Sequence, residues 1–441
     1  MLKKLSLKGV GPAPEMEVEF AERLTVITGD NGLGKSFILD AVWFGISQVY
    51  FLEEITPSLT GQSEINIKHK NGLDYDLTFS REIQDWSFNS FHKKNESKEF
   101  FPVPIIYQGS AGDFGVFDPV RYPNNPPYAS MYAEEELRDG TDGRVLRDGH
   151  IRRNNNFNRS QLIKIPCNGM VNDIANWYRE DSVNIRNMTK AIKILSDDNE
   201  NPIEISAPKR ISLNDSREIP HLITSGGIVP ITIASAGVRR IISLAYAIVW
   251  AWHEHKIAAD LTGIKPSRGL LLMIDEIETH LHPKWQRKIL AAVLEVAKAI
   301  TEDEGFQVQV ICTTHSPIVL TGIEPHFDPE KDKLLDLQLT PGAPGERGTV
   351  ELREVDWYKR GTVGNWLTSD MFNVSERSPE AQKAMDAAGQ FGDPDFSGEP
   401  DPARLKQVDA DLRAYLPDTD RFLVRWEYLL EQRGWMRHLE S

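Results

Sequence analysis

Eight residues near the start of the chain have the types and spacing to hold phosphate. Gly29-Asp30-Asn31-Gly32-Leu33-Gly34-Lys35-Ser36 fits the pattern G-x-x-x-x-G-K-[ST]. At Gly29, Gly32 and Gly34 the backbone N–H groups are free of Cβ crowding and, with Asn31 between them, can turn toward phosphate oxygens. Lys35 is then placed to reach the β- and γ-phosphates, and the Ser36 hydroxyl to bind Mg²⁺. Far downstream, the apolar run in "LLLMIDEIETHLHP" ends in Asp275-Glu276. The first carboxylate can hold Mg²⁺ through water. The second can take a proton from an attacking water. In "QVICTTHSP", His315 follows another apolar run, where it can contact a γ-phosphate and sense its loss. In "ASAGVRRIISLAYA", Ser235-Ala236-Gly237 opens a long apolar helix. A small-residue turn at a helix N-terminus is a second phosphate-binding element. The chain has its own phosphate loop, so this one is available to a nucleotide held by another copy.

These residues need a frame. "KKLSLKGV" and "EMEVEFAERLTVITG" read as strands, and "SFILDAVWFGISQVYFLEEI" carries apolar residues at helical spacing. The phosphate loop therefore lies between a strand and a helix. "SEINIKHKNGLDYDLTFSREI" reads as a hairpin turning at Asn71-Gly72, and "FPVPIIYQGSAG" as a strand ending near Gln108. The pattern weakens from about Asp118, where "MVNDIANWYREDSVNIRNMTKAIKIL" is helical; this stretch reads as an inserted, mostly helical lobe. Strand character returns in "EIPHLITSGGIVPITIA", followed by a helix from Ala236 to about Lys256. "GLLLMIDEI", "PKWQRKILAAVLEVAKAI" and "FQVQVICTTHSP" then alternate strand, helix and strand, which implies a parallel sheet. A separate region follows Leu320, with helices in "LKQVDADLRAYL" and "RFLVRWEYLLEQRGW". The expected domains are an N-terminal head lobe at 1–115, the inserted lobe at 116–225, a second head lobe at 226–322 and a partner-binding or oligomerisation region at 323–441.

Bulk properties narrow the classes. A chain of 441 residues suggests roughly two to three domains, or one large domain with an insertion. A net charge of −15 argues against a surface that binds nucleic acid all over, though not against a local basic patch. The two cysteines, Cys167 and Cys312, have no metal-type spacing and fit a reducing compartment. The N-terminus lacks the apolar core of a signal peptide. "IISLAYAIVWAW" is too short to span a bilayer. The expectation is a soluble, cytoplasmic protein with no membrane partner. His253-Glu254-His255 is not H-E-x-x-H and makes no zinc protease site.

Together the motifs resemble the ABC-type ATPases, specifically their branch of SMC-, RecF- and OLD-like proteins, over roughly residues 1–110 and 225–320. "NGLGKSFILDAV", the acidic pair with "ETHLHP", and "TTHSP" carry the resemblance. It implies an α/β fold: an ABC-type P-loop head with a mostly helical insertion and an α-rich C-terminal region. It implies ATP and Mg²⁺ as ligands, and two heads closing face to face, with Ser235 and Gly237 of one acting on the nucleotide of the other. Ala-Ser-Ala-Gly here departs from the branch's usual L-S-G-G. The resemblance also implies a Gln after a strand that touches Mg²⁺ and the water. Gln108 matches by position, with Asp113 as competitor. His280 and His282, otherwise a metal suggestion, belong by resemblance to a loop lining the head–head interface.

Three uses of ATP remain in view. The compact head, and the absence of a nuclease motif in the chain, resemble ATPase subunits of bacterial anti-phage systems of the Septu and PARIS kind. That implies head-to-head assembly regulating a separate effector, expected to be a nuclease. The alternative is a RecF-like repair or recombination ATPase that binds DNA directly. Its support is the stretch from Arg138 to Lys164, with seven Lys/Arg against three Asp. A non-catalytic clamp is the third, and Glu276 argues against it, since a clamp needs no general base. "DADL" (Asp409 to Leu412) has a D-x-D spacing but lies in a helical pattern and reads as a solvated helix face.

Overall fold

The structure is a computed structural model. It describes residues 1–47, 55–59, 61–70, 74–82, 84–88, 102–121, 129–132, 168–196, 202–301, 303, 305–342, 348–393, 396 and 398–440. The Asn71-Gly72 turn, the basic stretch at 138–164 and Cys167 lie outside the described residues. The described residues form two compact units, Met1–Gly361 and Thr362–Ser441.

The first unit opens with β1 (Leu2–Lys8), β2 (Glu15–Glu19), β3 (Leu24–Gly29) and α1 (Lys35–Ser47). Then come β4 (Glu64–His69), β5 (Asp74–Ser80), β6 (Asp85–Phe88), β7 (Ile105–Gln108), β8 (Phe114–Phe117) and β9 (Ala129–Tyr132). The inserted stretch gives α2 (Met170–Arg179), α3 (Val183–Ser196), β10 (Glu204–Lys209), β11 (Ile219–Thr224) and β12 (Gly227–Pro230). The unit continues with α4 (Ala236–Thr262), β13 (Gly269–Ile274), α5 (Pro283–Thr301), β14 (Gln307–Thr313), α6 (Pro317–Ile323), β15 (Asp332–Thr340) and β16 (Thr349–Val355).

The main sheet runs β16-β15-β3-β14-β13-β7-β8-β9. Its centre is parallel: β3 pairs with β14 and β15, and β13 with β14 and β7. Every residue of β3 and β13 is buried. Such continuous burial belongs to strands covered on both faces. α1 and the antiparallel sheet β2-β1-β4-β5-β6 share one core with it, in which Leu5, Val18, Ile65 and Ile67 meet Ile27, Trp43 and Phe44. The apolar run Ile241–Trp252 lies within α4, which is largely buried and ends at Gly263 in the left-handed conformation (φ 70°). No helix among the described residues is long and apolar enough to cross a membrane.

The stretch at 170–196 is helical as expected, as two helices separated where Asp181 takes a positive φ of 45°. Two expectations differ from the structure. The expected mostly helical lobe also contains the three-stranded sheet β10-β11-β12. The expected C-terminal region does not separate at 323. β15 pairs in parallel with β3, and β16 extends the same sheet, because five of the nine residues of β15 are buried and need the sheet's interior. Trp357 likewise stays in the first unit, stacked on Phe327 with ring centroids 3.6 Å apart.

The second unit holds α7 (Val363–Leu367), α8 (Pro379–Gly392), α9 (Pro402–Tyr415), α10 (Arg421–Arg433) and α11 (Arg437–Glu440). Its helices start as their sequences dictate. Ser378, Asp401 and Asp420 each accept a backbone N–H of the first turn, and Pro379 and Pro402 occupy first positions that need no donor. Phe391, Leu405, Leu412, Trp426, Leu430 and Trp435 form its core.

Candidate functional site

Four loops at one edge of the parallel sheet bring the polar residues together. β3 ends at Gly29, whose φ is +132°. A Cβ there would sit 2.4 Å from the Leu337 carbonyl oxygen of β15, so only glycine fits. The loop then turns into α1 at Lys35. Lys35 is 6% exposed, and its Nζ donates to the carbonyl oxygens of Gly29 (2.8 Å) and Asp30 (2.7 Å). Burial lowers its pKa, and the charges of Asp275 and Glu276 oppose that shift. Asn31 and Gly32 lie exposed on the loop.

Asp275 follows β13 and is buried. Its Oδ2 accepts from Ser36 Oγ at 2.8 Å and its Oδ1 from Thr313 Oγ1 at 2.6 Å. The same Thr313 oxygen accepts the backbone N–H of Glu276 at 2.8 Å. Glu276 sits at φ 45°, a conformation uncommon for a residue with a Cβ. Its Oε2 accepts from Thr279 Oγ1 at 3.0 Å. One hydroxyl thus holds both members of the acidic pair, and a second joins the pair to the phosphate loop.

His315 follows β14 and is half-buried. Its backbone N–H donates to Glu278 Oε1 at 2.6 Å, and Thr314 Oγ1 donates to Glu278 Oε2 at 2.7 Å. Burial, then the Lys35 charge, lowers the imidazole's pKa. Gln108 ends β7, in register with Ile274, and its carbonyl accepts the N–H of Asp275 at 2.8 Å. Its side chain is 1% exposed and neither amide atom has a partner.

Ser235 caps α4 without a side-chain hydrogen bond. A Cβ on Gly237 would meet the His280 carbonyl oxygen at 2.7 Å and the Trp285 ring at 3.3 Å. Within one chain, then, the start of α4 packs on the loop of His280 and His282, while Lys35, Ser36, Asp275, Glu276 and His315 gather at the phosphate loop. His280 is exposed at φ 64°. His282 Nδ1 accepts the Lys284 N–H at 3.2 Å. Asp113 closes a tight turn by accepting the Gly109 N–H at 2.9 Å.

Three residues of this network escape the sequence reading: Thr313, Glu278 and Arg240. Arg240 donates to the carbonyl oxygens of Gly109 (2.9 Å) and Asp275 (3.2 Å). Two hydroxyls ending a buried strand in "ICTTHSP" were the available signal for Thr313. Glu278 gives none, since its partners lie 36 and 37 residues away.

The oxygens of Ser36 and Asp275 fit Mg²⁺. They are hard donors, and their 2.8 Å separation is close to the roughly 2.9 Å between adjacent ligands of an octahedral ion with bonds of 2.0–2.1 Å. No group of three or more His, Cys, Asp or Glu residues forms a metal cage among the described residues. Mg²⁺ needs none, as it takes one or two protein oxygens plus phosphate and water.

Strand, phosphate-loop motif and helix, with a carboxylate pair and a His on the neighbouring strand ends, define a P-loop head of the α/β class. The chain belongs to the family described as "AAA domain, putative AbiEii toxin, Type IV TA system", whose profile matches residues 24–321. It is similar to the Septu protein PtuA of Bacillus thuringiensis, 23% identical over 72% of each chain. It is also similar to the retron Ec83 probable ATPase of Escherichia coli, 28% identical over 39% of this chain and 27% of that one. Among solved structures, an SMC head bound to the C-winged helix domain of ScpA aligns with 80% of this chain and 98% of its own, at 14% identity and a TM-score of 0.46.

Proposed function

We propose that the head binds ATP with Mg²⁺, hydrolyses it, and uses the cycle to control a separate effector in anti-phage defence. The observation that carries the hydrolytic part is the bonded path from Ser36 through Asp275 and Thr313 to Glu276. It ties the phosphate loop to a carboxylate that is oriented before any substrate arrives, and such preorganisation is what hydrolysis of a phosphoanhydride requires. Lys35 neutralises phosphate charge, and its bonds to Gly29 and Asp30 would be exchanged for phosphate oxygens. Ser36 and Asp275 would hold Mg²⁺, which would supply further neutralisation of phosphate charge. Glu276 accepts the proton of the attacking water. His315, neutral because of its burial, contacts the γ-phosphate, and Gln108 lies beside Asp275 to orient water and cation.

The serine of α4 supports the assembly part of the proposal. Ser235 is exposed and its side chain makes no capping bond to its own helix, so a second head can present Lys35's nucleotide to Ser235 and Gly237. The defence assignment rests on the relatives named Septu PtuA and retron ATPase. In the second unit, Val424 and Tyr428, one turn apart on α10, are exposed together with Tyr415 and offer an effector a place to dock.

Two experiments test this reading. Ser235→Arg places a charged side chain at the helix start; it should abolish ATP-driven dimerisation seen by light scattering, and unaltered dimers would remove the face-to-face arrangement. Tagged Glu276→Gln, expressed with its native gene neighbours and purified with ATP and Mg²⁺, should bring down a stoichiometric nuclease or toxin. Recovery of DNA without a protein partner would move the assignment to repair.

A further inference from the structure

The outward face of α10 carries two cations that the second unit leaves unpaired. Arg421, Val424, Arg425 and Tyr428 follow one another at spacings of three and four residues, which puts them on one side of the helix. All four are exposed, with Val424 at 61% and Tyr428 at 62%. The opposite side, Leu423, Trp426 and Leu430, is buried in the unit's core. Gln432, one turn further along, donates to the Tyr428 hydroxyl at 2.7 Å and steadies the ring in its exposed place. Asp418 and Glu431 stand beyond the two ends of the face.

These two arginines differ from the rest of the unit. Residues 362–441 hold 15 Asp and Glu against nine Lys and Arg, so a cation there has acids within easy reach. Arg377 pairs with Asp420, Arg413 with Asp409 and Glu427, and Arg437 with Glu399. Arg404 donates to Gln390, and Arg433 lies over the Trp435 ring. Among the described residues, Arg421 and Arg425 alone of the unit's seven arginines make no ion pair, side-chain hydrogen bond or ring contact. Their position is also unfavourable without a ligand. Arg421 opens α10, whose first turn has no acid, and the helix dipole disfavours a cation there. Asp420, which caps that turn, is already bonded to Arg377. Like charges four residues apart on a helix repel each other. A ligand that brings carboxylates relieves both costs at once.

The composition of the face points to a protein rather than a nucleic acid. Arg and Tyr around an apolar residue are the types in which interface centres are enriched. Two arginines would neutralise few phosphates, and the unit's excess of acids would repel the rest of a long polyanion. At 1.5 Å of rise per residue the two guanidinium groups are ~6 Å apart along the axis, the separation of carboxylates at i and i+4 on a facing helix. Each guanidinium can take one carboxylate through two parallel N–H bonds.

We infer that this face docks an acidic helix of the effector, with two carboxylates one turn apart and an apolar side chain beside them against Val424 and Tyr428. The identity of the partner rests on the effector reading above; the preference for an acidic segment does not.

The probe is an array of helix-forming peptides of about 15 residues, with Glu at i and i+4 beside Leu or Phe, each printed next to a Gln twin and a Lys twin. The fluorescently labelled full chain should bind the Glu peptides at least about tenfold more tightly than the Gln twins. The double variant Arg421→Glu/Arg425→Glu should turn the preference toward the Lys twins without lowering the denaturant transition of the second unit, because both residues are exposed. Equal binding of Glu and Gln peptides, or a preference that survives the charge reversal, would overturn the inference. Displacement of the Glu peptides by a short DNA duplex at equal concentration would overturn it in favour of a nucleic acid. Dimers that form without ATP and dissolve on charge reversal would overturn it in favour of a second copy of this chain. Purification with the native gene neighbours then separates the two readings. An effector that is captured by the wild-type chain and lost from the double variant supports both. An effector retained by the double variant at full stoichiometry overturns the inference and leaves the effector reading standing. A chain that keeps the peptide preference but brings down no protein upholds the acidic docking face and sinks the effector reading.

Discussion

Two acidic pairs in this molecule look alike on paper and differ in what surrounds them. Asp275-Glu276 ends a buried parallel strand, where Ser36 at the start of α1, Thr313 at the end of β14 and Thr279 of the pair's own loop hold it in place. Asp409 and Asp411 lie on α9 of the second unit. There Asp409 accepts from Trp426 Nε1 at 3.0 Å and from Arg413 at 3.0 Å, and Asp411 accepts from Gln407 at 2.8 Å. Asp409 is spent on tying α9 to α10 through Trp426 and Asp411 on a bond within α9, whereas the strand-end pair is held by hydroxyls that a cation or phosphate can replace. The spacing of acids says little; the element that carries them decides whether they are chemistry or scaffold.

The comparison can be broken by substitution. Lys35→Ala should have the largest effect, a loss of nucleotide affinity of roughly 100-fold or more from its charge-assisted phosphate contacts, checked by titration with a fluorescent ATP analogue. Glu276→Gln should keep ATP bound while single-turnover hydrolysis falls by at least about 100-fold; unchanged turnover would move the general base elsewhere. Trp426→Ala should destabilise the second unit by about 3–5 kcal/mol, read as an earlier denaturant transition, with nucleotide affinity retained.

A pH effect sharpens the strand side. His315 has its pKa lowered by burial and by Lys35, so the unfolded chain binds the proton more readily. Stability of the nucleotide-free head should therefore fall as pH drops below the ordinary His value of 6.5. His315→Gln should lessen that slope in chemical denaturation, leaving the share of His69 and His253, whose pKa values burial also lowers; an identical slope would mean that the imidazole does not contribute. The smallest effect belongs to Asp411→Asn, at under about 1 kcal/mol of stability for an exposed contact, with hydrolysis unchanged.

Much of this site is legible in the sequence because its parts are local. Gly29 to Ser36 are contiguous, so their spacing alone encodes a loop, and the apolar runs before Asp275 and His315 mark the strands that end there. What stays hidden is long-range. Glu278 earns its place through Thr314 and His315 on another strand. The partnerless amide of Gln108 emerges only once α4 is packed beside it. β15 is missed as part of the head because only its burial against β3 distinguishes it from a strand of a separate domain.

The pairing of β3 has a consequence for synthesis. Its two neighbours in the sheet are β14 and β15, which begin at Gln307 and Asp332. At about 5–20 residues per second, the ribosome delivers the first of them roughly 15–60 s after the phosphate loop has emerged. Until then a strand whose every residue is buried in the finished head has both edges unpaired, and such edges are open to pairing with other chains during synthesis.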